Sequence, residues 1–323
     1  MESLRVLTFN SHQPYLHLLA SSLPWTFGII APQVQHGGLK HWDPRIRPLP
    51  GNVQMYDSLQ SAMRKGPWDW ILAHNVHDLI DAKDVVLPKA YLVHGTLSGR
   101  MLQDQSTISR EKYLKNLNLL IHAYGAGVVY ISELKRNDWG IPGDVIRPAV
   151  NVEEYGGYRG EIRGVIQVCN HLKARGVMTG WETYQEVARD LPNLVLGDNP
   201  DLPFSRVTSG WDDLKEQLRS YRLYLYTPVY PYEDGYNLGL LEAMATGMPV
   251  ATLQSPSSPV SDGCEGVVGA TVGELREKVL SLLDDPESAV AMGKSARARV
   301  ERDFPVFAFS TAWRVFANKL TGK

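Results

Sequence analysis

What this sequence lacks narrows its class first. Its 323 residues hold two cysteines, Cys169 and Cys264, too few for a disulfide framework and with no Cys-x-x-Cys pair to grip a metal. A reducing, cytoplasmic compartment is therefore expected. Net charge is almost absent: 33 Lys+Arg stand against 35 Asp+Glu, and a balance of -2 suggests no nucleic-acid partner. No apolar run is long enough to span a bilayer, and the opening Met-Glu-Ser-Leu-Arg-Val-Leu has no signal-peptide core. The expectation is a soluble protein, attached at most peripherally to the inner face of a membrane. Internal repeats, low-complexity tracts and heptads are missing too. What remains is ordinary globular composition, 44% hydrophobic and 21% charged, at a length that fits two compact domains.

The charge that exists is unevenly placed. Residues 1–150 carry 15 basic and 12 acidic side chains, the remainder 18 and 23, and eight of the nine histidines precede residue 150. Short apolar runs at 4–9, 27–31, 70–73, 90–93 and 127–131 read as buried parallel strands, with helix-like stretches between them, notably 109–124. A second series follows at 164–169, 194–196, 223–226, 249–253 and 266–268, with helices predicted over 180–190, 211–220 and 238–246. Three helical stretches follow Val272; the last, 305–320, puts Phe307, Trp313, Val315 and Phe316 on a predicted docking face. The fold class is α/β, with two Rossmann-like doubly wound domains. The first is expected over 1–150, joined by the C-terminal helix 305–323 crossing back to it, and the second over 151–304.

In such sheets ligands bind beyond the carboxyl ends of the strands. That rule selects Asn10 and His12 after the first run, His74 and Asn75 after the third, and His94 after the fourth. Three histidines on one rim predict a cleft there. His74-x-x-His77 has the spacing of a metal pair, but nothing completes the set, and no metal is expected.

The richest stretch runs from Glu233 to Val250. It reads as a loop with two carboxylates and a glycine, then a helix from Leu238 that ends at Gly247-Met-Pro249. A helix start is a ready anion site. On spacing alone, Asp234 and Glu242 are either ligand-binding carboxylates or a helix-end charge and a solvated helix residue. The phrase D-G-Y-N-L-G-L-L-E-A-M-A-T-G-M-P-V, 17 positions from Asp234, resembles the signature E-G-F-G-L-x-x-L-E-A-M-A-x-G-x-P-V of the family 4 retaining glycosyltransferases. Their fold is the two-Rossmann GT-B fold, with its domains facing a cleft. Val128–Arg136, Val145–Tyr155 and Leu194–Pro200 are similar to further segments of that family.

The resemblance implies roles residue by residue. Glu242 would hold the ribose of a nucleotide-diphosphate sugar, and Asp234 would hydrogen-bond the donor sugar, with Glu233 and Gly235 in the same loop. Backbone amides of Tyr236, Asn237 and Leu238 would hold the diphosphate, and Ser209 and Gly210 would sit by the base. His94 would contact the transferred sugar, leaving Asn10, His12, His74 and Asn75 to the acceptor or the cleft. The family's phosphate clamp, Gly-Arg-x4-Lys-Gly, becomes Cys169-Asn-His-Leu-Lys-Ala-Arg-Gly176 here. Arg175 takes the lysine position, Asn170 replaces the arginine, and Lys173 is a second candidate cation. The implied activity is metal-independent transfer of a sugar to a glycan, lipid-linked or small-molecule acceptor, with retained anomeric configuration. No cofactor is implied beyond the donor substrate. The alternatives are a non-catalytic sugar-nucleotide-binding module and an epimerase on the same fold.

Overall fold

The structure is a computed structural model, and it describes residues 3–31, 41–103 and 105–323. Two compact units emerge. One is built from Met1–Leu97, Gln105–Pro148 and Val306–Lys323, the other from Ser98–Asp104 and Ala149–Pro305.

In the first unit, strands and helices alternate in the order β1 (Arg5–Phe9), α1 (Gln13–Ser22), β2 (Thr26–Ile30), β3 (Val53–Tyr56), α2 (Leu59–Met63), β4 (Trp70–Ala73), α3 (Val76–Asp81) and β5 (Lys89–Val93). After α4 (Leu97–Gln103), which from Ser98 onward belongs to the second unit, they continue through α5 (Arg110–Ala123), β6 (Gly127–Tyr130), α6 (Glu133–Trp139) and β7 (Asp144–Val145). The sheet order is β3-β2-β1-β4-β5-β6-β7, and each pairing is parallel. Helices on both faces bury β4 and β5 throughout, which is why they read as unbroken apolar runs.

The second unit holds β8 (Ile162–Val168), α7 (Gly176–Thr179), α8 (Trp181–Ala188), β9 (Asn193–Leu196), β10 (Ser205–Arg206), α9 (Trp211–Ser220) and β11 (Tyr221–Tyr226). Then come α10 (Leu238–Thr246), β12 (Val250–Leu253), β13 (Gly266–Gly269), α11 (Val272–Leu283) and α12 (Pro286–Asp303). Its sheet, β10-β9-β8-β11-β12-β13, is again parallel throughout. The last helix, α13 (Val306–Thr321), belongs to the first unit. Both sheets are doubly wound. Strand order reverses between β1 and β4 in one and between β8 and β11 in the other, and such switch points open crevices at the carboxyl ends of the strands.

Two sequence expectations need correction. The docking face of α13 is Phe309, Trp313, Phe316 and Ala317, whereas Phe307 and Val315 are 75% and 64% exposed. At 3.6 residues per turn, 309, 313, 316 and 317 share a stripe that 307 and 315 leave. Trp313 stacks 6.2 Å from Trp70, and Phe316 meets Trp70 edge-on. Finally, the edge strands β3, β7 and β10 lie outside the predicted runs. Among the described residues, no helix is long and apolar enough to cross a membrane.

Candidate active site

The second unit's crevice is framed by two loops. The first follows β8. Cys169 is buried enough that its thiol is pushed up to about 11, with Arg175 pulling it down and Glu233 pushing it further up. A thiol so placed is protonated near neutrality and is no nucleophile. Asn170 does not project as a cation substitute: its Oδ1 accepts the Asp198 amide at 2.9 Å. The same clamp continues where Leu172 N donates to Asn199 Oδ1 at 2.7 Å and Asn199 Nδ2 donates to the Cys169 carbonyl at 2.8 Å. Gly197, at φ 145°, is demanded here, because a Cβ would lie 2.3 Å from the Cys169 carbonyl. Lys173 is exposed, and Arg175 is half-buried with Nε 3.4 Å from Gln103 Oε1.

The second loop, 227–237, follows β11. Thr227 Oγ1 donates to the Thr179 carbonyl at 2.7 Å, a contact made possible by Gly180, at φ 71°, whose Cβ would sit 1.8 Å from the Thr227 carbonyl. Tyr226 donates its hydroxyl to the Asp234 carbonyl at 3.1 Å, and Glu233 Oε1 accepts the Asp234 amide at 3.0 Å. Gly235 N donates to Ser257 Oγ at 2.8 Å. The Asn237 side chain caps α10 by accepting from Leu240 N at 2.9 Å, which leaves the Leu238 and Gly239 amides at the outward-facing helix start.

Asp234 and Glu242 are both buried, at 1% and 6% exposure, so Glu242 is not a solvated helix residue. Burial raises the Tyr226 hydroxyl far above its ordinary range, and Glu233 and Asp234 add to that. Burial and Glu242 act likewise on Tyr224. Carboxylates at Glu233, Asp234 and Glu242 thus gather around one pair of tyrosines, with the Arg175 loop alongside. The opposite end of α10 is locked by Arg297, which donates to the carbonyls of Tyr155, Ala245 and Val152.

Ser209 and Gly210 are placed differently. Ser209 directs both its amide (2.9 Å) and its hydroxyl (3.3 Å) to Asp213 Oδ2. The Arg206 guanidinium, bidentate to that carboxylate at 2.6 and 2.8 Å, holds Asp213 well below the usual carboxylate range. The Ser209 hydroxyl is engaged in the turn, and Gly210 opens α9. Asp213 carried no signal in the sequence beyond its place in the first helical turn.

The first unit's switch point collects the histidines. His94 and His74 stack at 5.1 Å between centroids, and His74 Nδ1 lies 2.8 Å from His94 Nε2. His12, exposed, stacks on His94 at 4.7 Å, and Tyr15 meets it edge-on at 5.0 Å. Burial lowers His74 to about 3 and carries His94 well below its ordinary value, with His12 beside both and Lys135 facing His94. The side chains of Asn10 and Asn75 both bond to nearby backbone. Asn10 Nδ2 donates to the His41 carbonyl at 3.2 Å, and Asn75 caps α3 by accepting from Asp78 N at 3.0 Å. Asp78, in turn, accepts the amides of His74 at 2.8 Å and Asn75 at 3.2 Å. The Asn-x-x-Asp spacing of a capping box was the sequence signal for Asp78. Among the described residues, no group of three or more His, Cys, Asp or Glu side chains is arranged to hold a metal ion.

Known proteins share this architecture. Sucrose-phosphate synthase from Thermosynechococcus elongatus superposes with a TM-score of 0.72 at 12% identity, covering 99% of this chain and 100% of its own. The fold is the GT-B fold. HepE of Anabaena, in complex with UDP and glucose, gives 0.69 at 15% identity over 98% of this chain and 100% of its own. WaaG, a glycosyltransferase involved in lipopolysaccharide biosynthesis, gives 0.67 at 14% identity, covering 99% and 100%. In sequence, the chain is 34% identical over 91 residues to a GDP-mannose-dependent monoacylated alpha-(1-6)-phosphatidylinositol monomannoside mannosyltransferase of Corynebacterium glutamicum. That match takes in 27% of this chain and spans only 22% of the mannosyltransferase. No protein-family model matches the sequence.

Proposed function

We propose that this protein is a retaining glycosyltransferase of the family 4 type, moving a sugar from a nucleotide diphosphate to an acceptor hydroxyl without a metal. The observation that carries the reading is the pair of buried carboxylates, Asp234 and Glu242, bracketing the start of α10. Carboxylates so placed can accept from the hydroxyls of a sugar or ribose, while the amides at the helix start suit a diphosphate. The GT-B neighbours and the local likeness to a mannosyltransferase support it.

In this reading Glu242 binds the ribose and Asp234, with Glu233 and Gly235, binds the donor sugar. The amides of Tyr236, Asn237 and Leu238 receive the diphosphate, and Arg175 and Lys173 stabilise it as it departs. With Asn170 tied to Asp198, the clamp relies on those two cations. Ser209 and Gly210 border the base through their backbone, since the Ser209 hydroxyl is engaged by Asp213. The first unit, with its histidine rim, takes the acceptor, and His94 meets the transferred sugar. The reading includes a same-face displacement, in which the departing phosphate takes the acceptor's proton. The mannosyltransferase acts on a phosphatidylinositol monomannoside, which makes a lipid-linked sugar at a cytoplasmic membrane face the first acceptor class to try.

The test is a metal-free thermal-shift panel with UDP, GDP, ADP, CDP and dTDP. A nucleotide at 100 times its dissociation constant stabilises by about 2.7 kcal/mol, a readily measured shift. A response to one base identifies the donor, and transfer from its sugar nucleotides follows. Silence across the panel refutes the reading. Binding without transfer or donor hydrolysis favours the non-catalytic module.

A further inference from the structure

The histidine rim carries a proton arrangement that can be read atom by atom. Thr8 Oγ1 lies 3.0 Å from the Leu72 carbonyl oxygen. A carbonyl has no hydrogen, and two oxygens that close repel unless one lies between them, so Thr8 donates its only hydroxyl hydrogen there. His74 Nε2 is 2.8 Å from the same Oγ1. With the hydroxyl hydrogen already committed, Nε2 must bring its own. Burial keeps His74 neutral, so its other nitrogen, Nδ1, is a bare lone pair. His94 Nε2, 2.8 Å from that lone pair, must then carry the next hydrogen. His94 is also held neutral, by burial and by His12, His74 and Lys135 facing it from α1's start, β4's end and α6, so its Nδ1 is bare. That atom is buried and has no hydrogen-bond partner among the described residues. The opposite polarity would leave a buried N–H there, a rarer defect, and would press Thr8 and Leu72 oxygens together without a hydrogen.

We infer that Thr8 and His74 are positioning residues which fix the His94 proton on Nε2, so that His94 Nδ1 serves as a hydrogen-bond acceptor for a sugar hydroxyl. An acceptor lone pair left buried and unpaired is destabilising, and a donor hydroxyl relieves it. Of the rings packed on His94, His12 is the exposed one, stacked at 4.7 Å, and so lies on the side from which a hydroxyl would approach. The direction of the relay is independent of the activity; that its ligand is a sugar rests on the transferase reading above.

The experiment has two arms. Long-range 1H–15N correlation spectra of 15N-histidine-labelled protein, assigned through His74→Asn and His94→Asn, read the tautomers directly. Both residues are expected as single Nε2–H forms at neutral pH, and a proton on His94 Nδ1 overturns the inference whatever the activity. Thr8→Val keeps the shape of the side chain and removes the acceptor for His74. It is expected to break the single tautomer and lower kcat about tenfold, the scale of one lost hydrogen bond, with nucleotide Kd unchanged. Thr8→Ser, which keeps the hydroxyl, restores both. If Thr8→Val scrambles the tautomers while kcat stands, the positioning role is wrong. If the wild type shows the expected tautomers but transfers no sugar, the relay stands and the transferase reading alone fails.

Discussion

Replacing Asp78 with asparagine gives the most direct physical test of the first unit's site. The side chain is 4% exposed, and burial pushes its carboxyl up from 3.8 to about 6, against the pull of the His74 and Asn75 amides. A raised carboxyl favours the protonated form when folded. Its contribution is therefore fully present below the unfolded value of 3.8 and is lost as pH rises through about 6. A difference of about two units corresponds to about 3 kcal/mol between the two ends of that window. Asparagine keeps an oxygen to accept the two amides and cannot ionise. Denaturant unfolding of wild type and Asp78→Asn should thus show the variant gaining about 2 kcal/mol relative to wild type from pH 4 to pH 7, since at pH 4 the unfolded carboxyl is already half ionised. Comparing the two proteins cancels the other titrations. A stability difference that stays flat across the window would refute the claim that Asp78 is desolvated at the carboxyl end of β4.

Three further outcomes are expected. Glu242→Ala should lose nucleotide affinity in the thermal-shift panel while circular dichroism stays native; unchanged binding would remove Glu242 from the ribose. Trp313→Ala deletes a fully buried ring stacked on Trp70 and should cost about 3–5 kcal/mol in urea, whereas Phe307→Ala, on the exposed side of the same helix, should cost under about 1 kcal/mol. Gly180→Ala combines φ 71° with a Cβ 1.8 Å from the Thr227 carbonyl, so it should destabilise by at least about 1–3 kcal/mol and weaken nucleotide binding through the displaced 227–237 loop.

The two parallel sheets were legible because strands buried on both faces leave unbroken apolar runs, and α10 was legible to the residue because its glycine stop and cap are local chemistry. β3 was not, since only Val53 of its four residues is fully buried, and β7 and β10 have two residues each, too short for any period. Phe307 and Val315 were misplaced because hydrophobicity alone does not say which stripe of a helix meets its neighbour. At the candidate site, the strand-end rule selected the three histidines that do meet. It also selected Asn10 and Asn75, whose side chains bond to backbone; position at a strand end does not distinguish a ligand group from a cap. Thr8 was invisible: its partners, Leu72 and His74, are more than sixty positions away, and only the pairing of β1 with β4 brings them to it.

The return of α13 has a consequence for how the molecule is made. The sheet of the first unit leaves the ribosome before the sheet of the second is begun, yet the face that receives Trp313 and Phe316 stays open until more than 150 further residues have been synthesised. Trp70 and the Gly127 edge of β6 are exposed throughout that interval, and the second unit, whose own sheet comes from one unbroken stretch, can close first. The nascent chain therefore carries an uncovered aromatic surface for most of its translation. The domain that starts first is completed last.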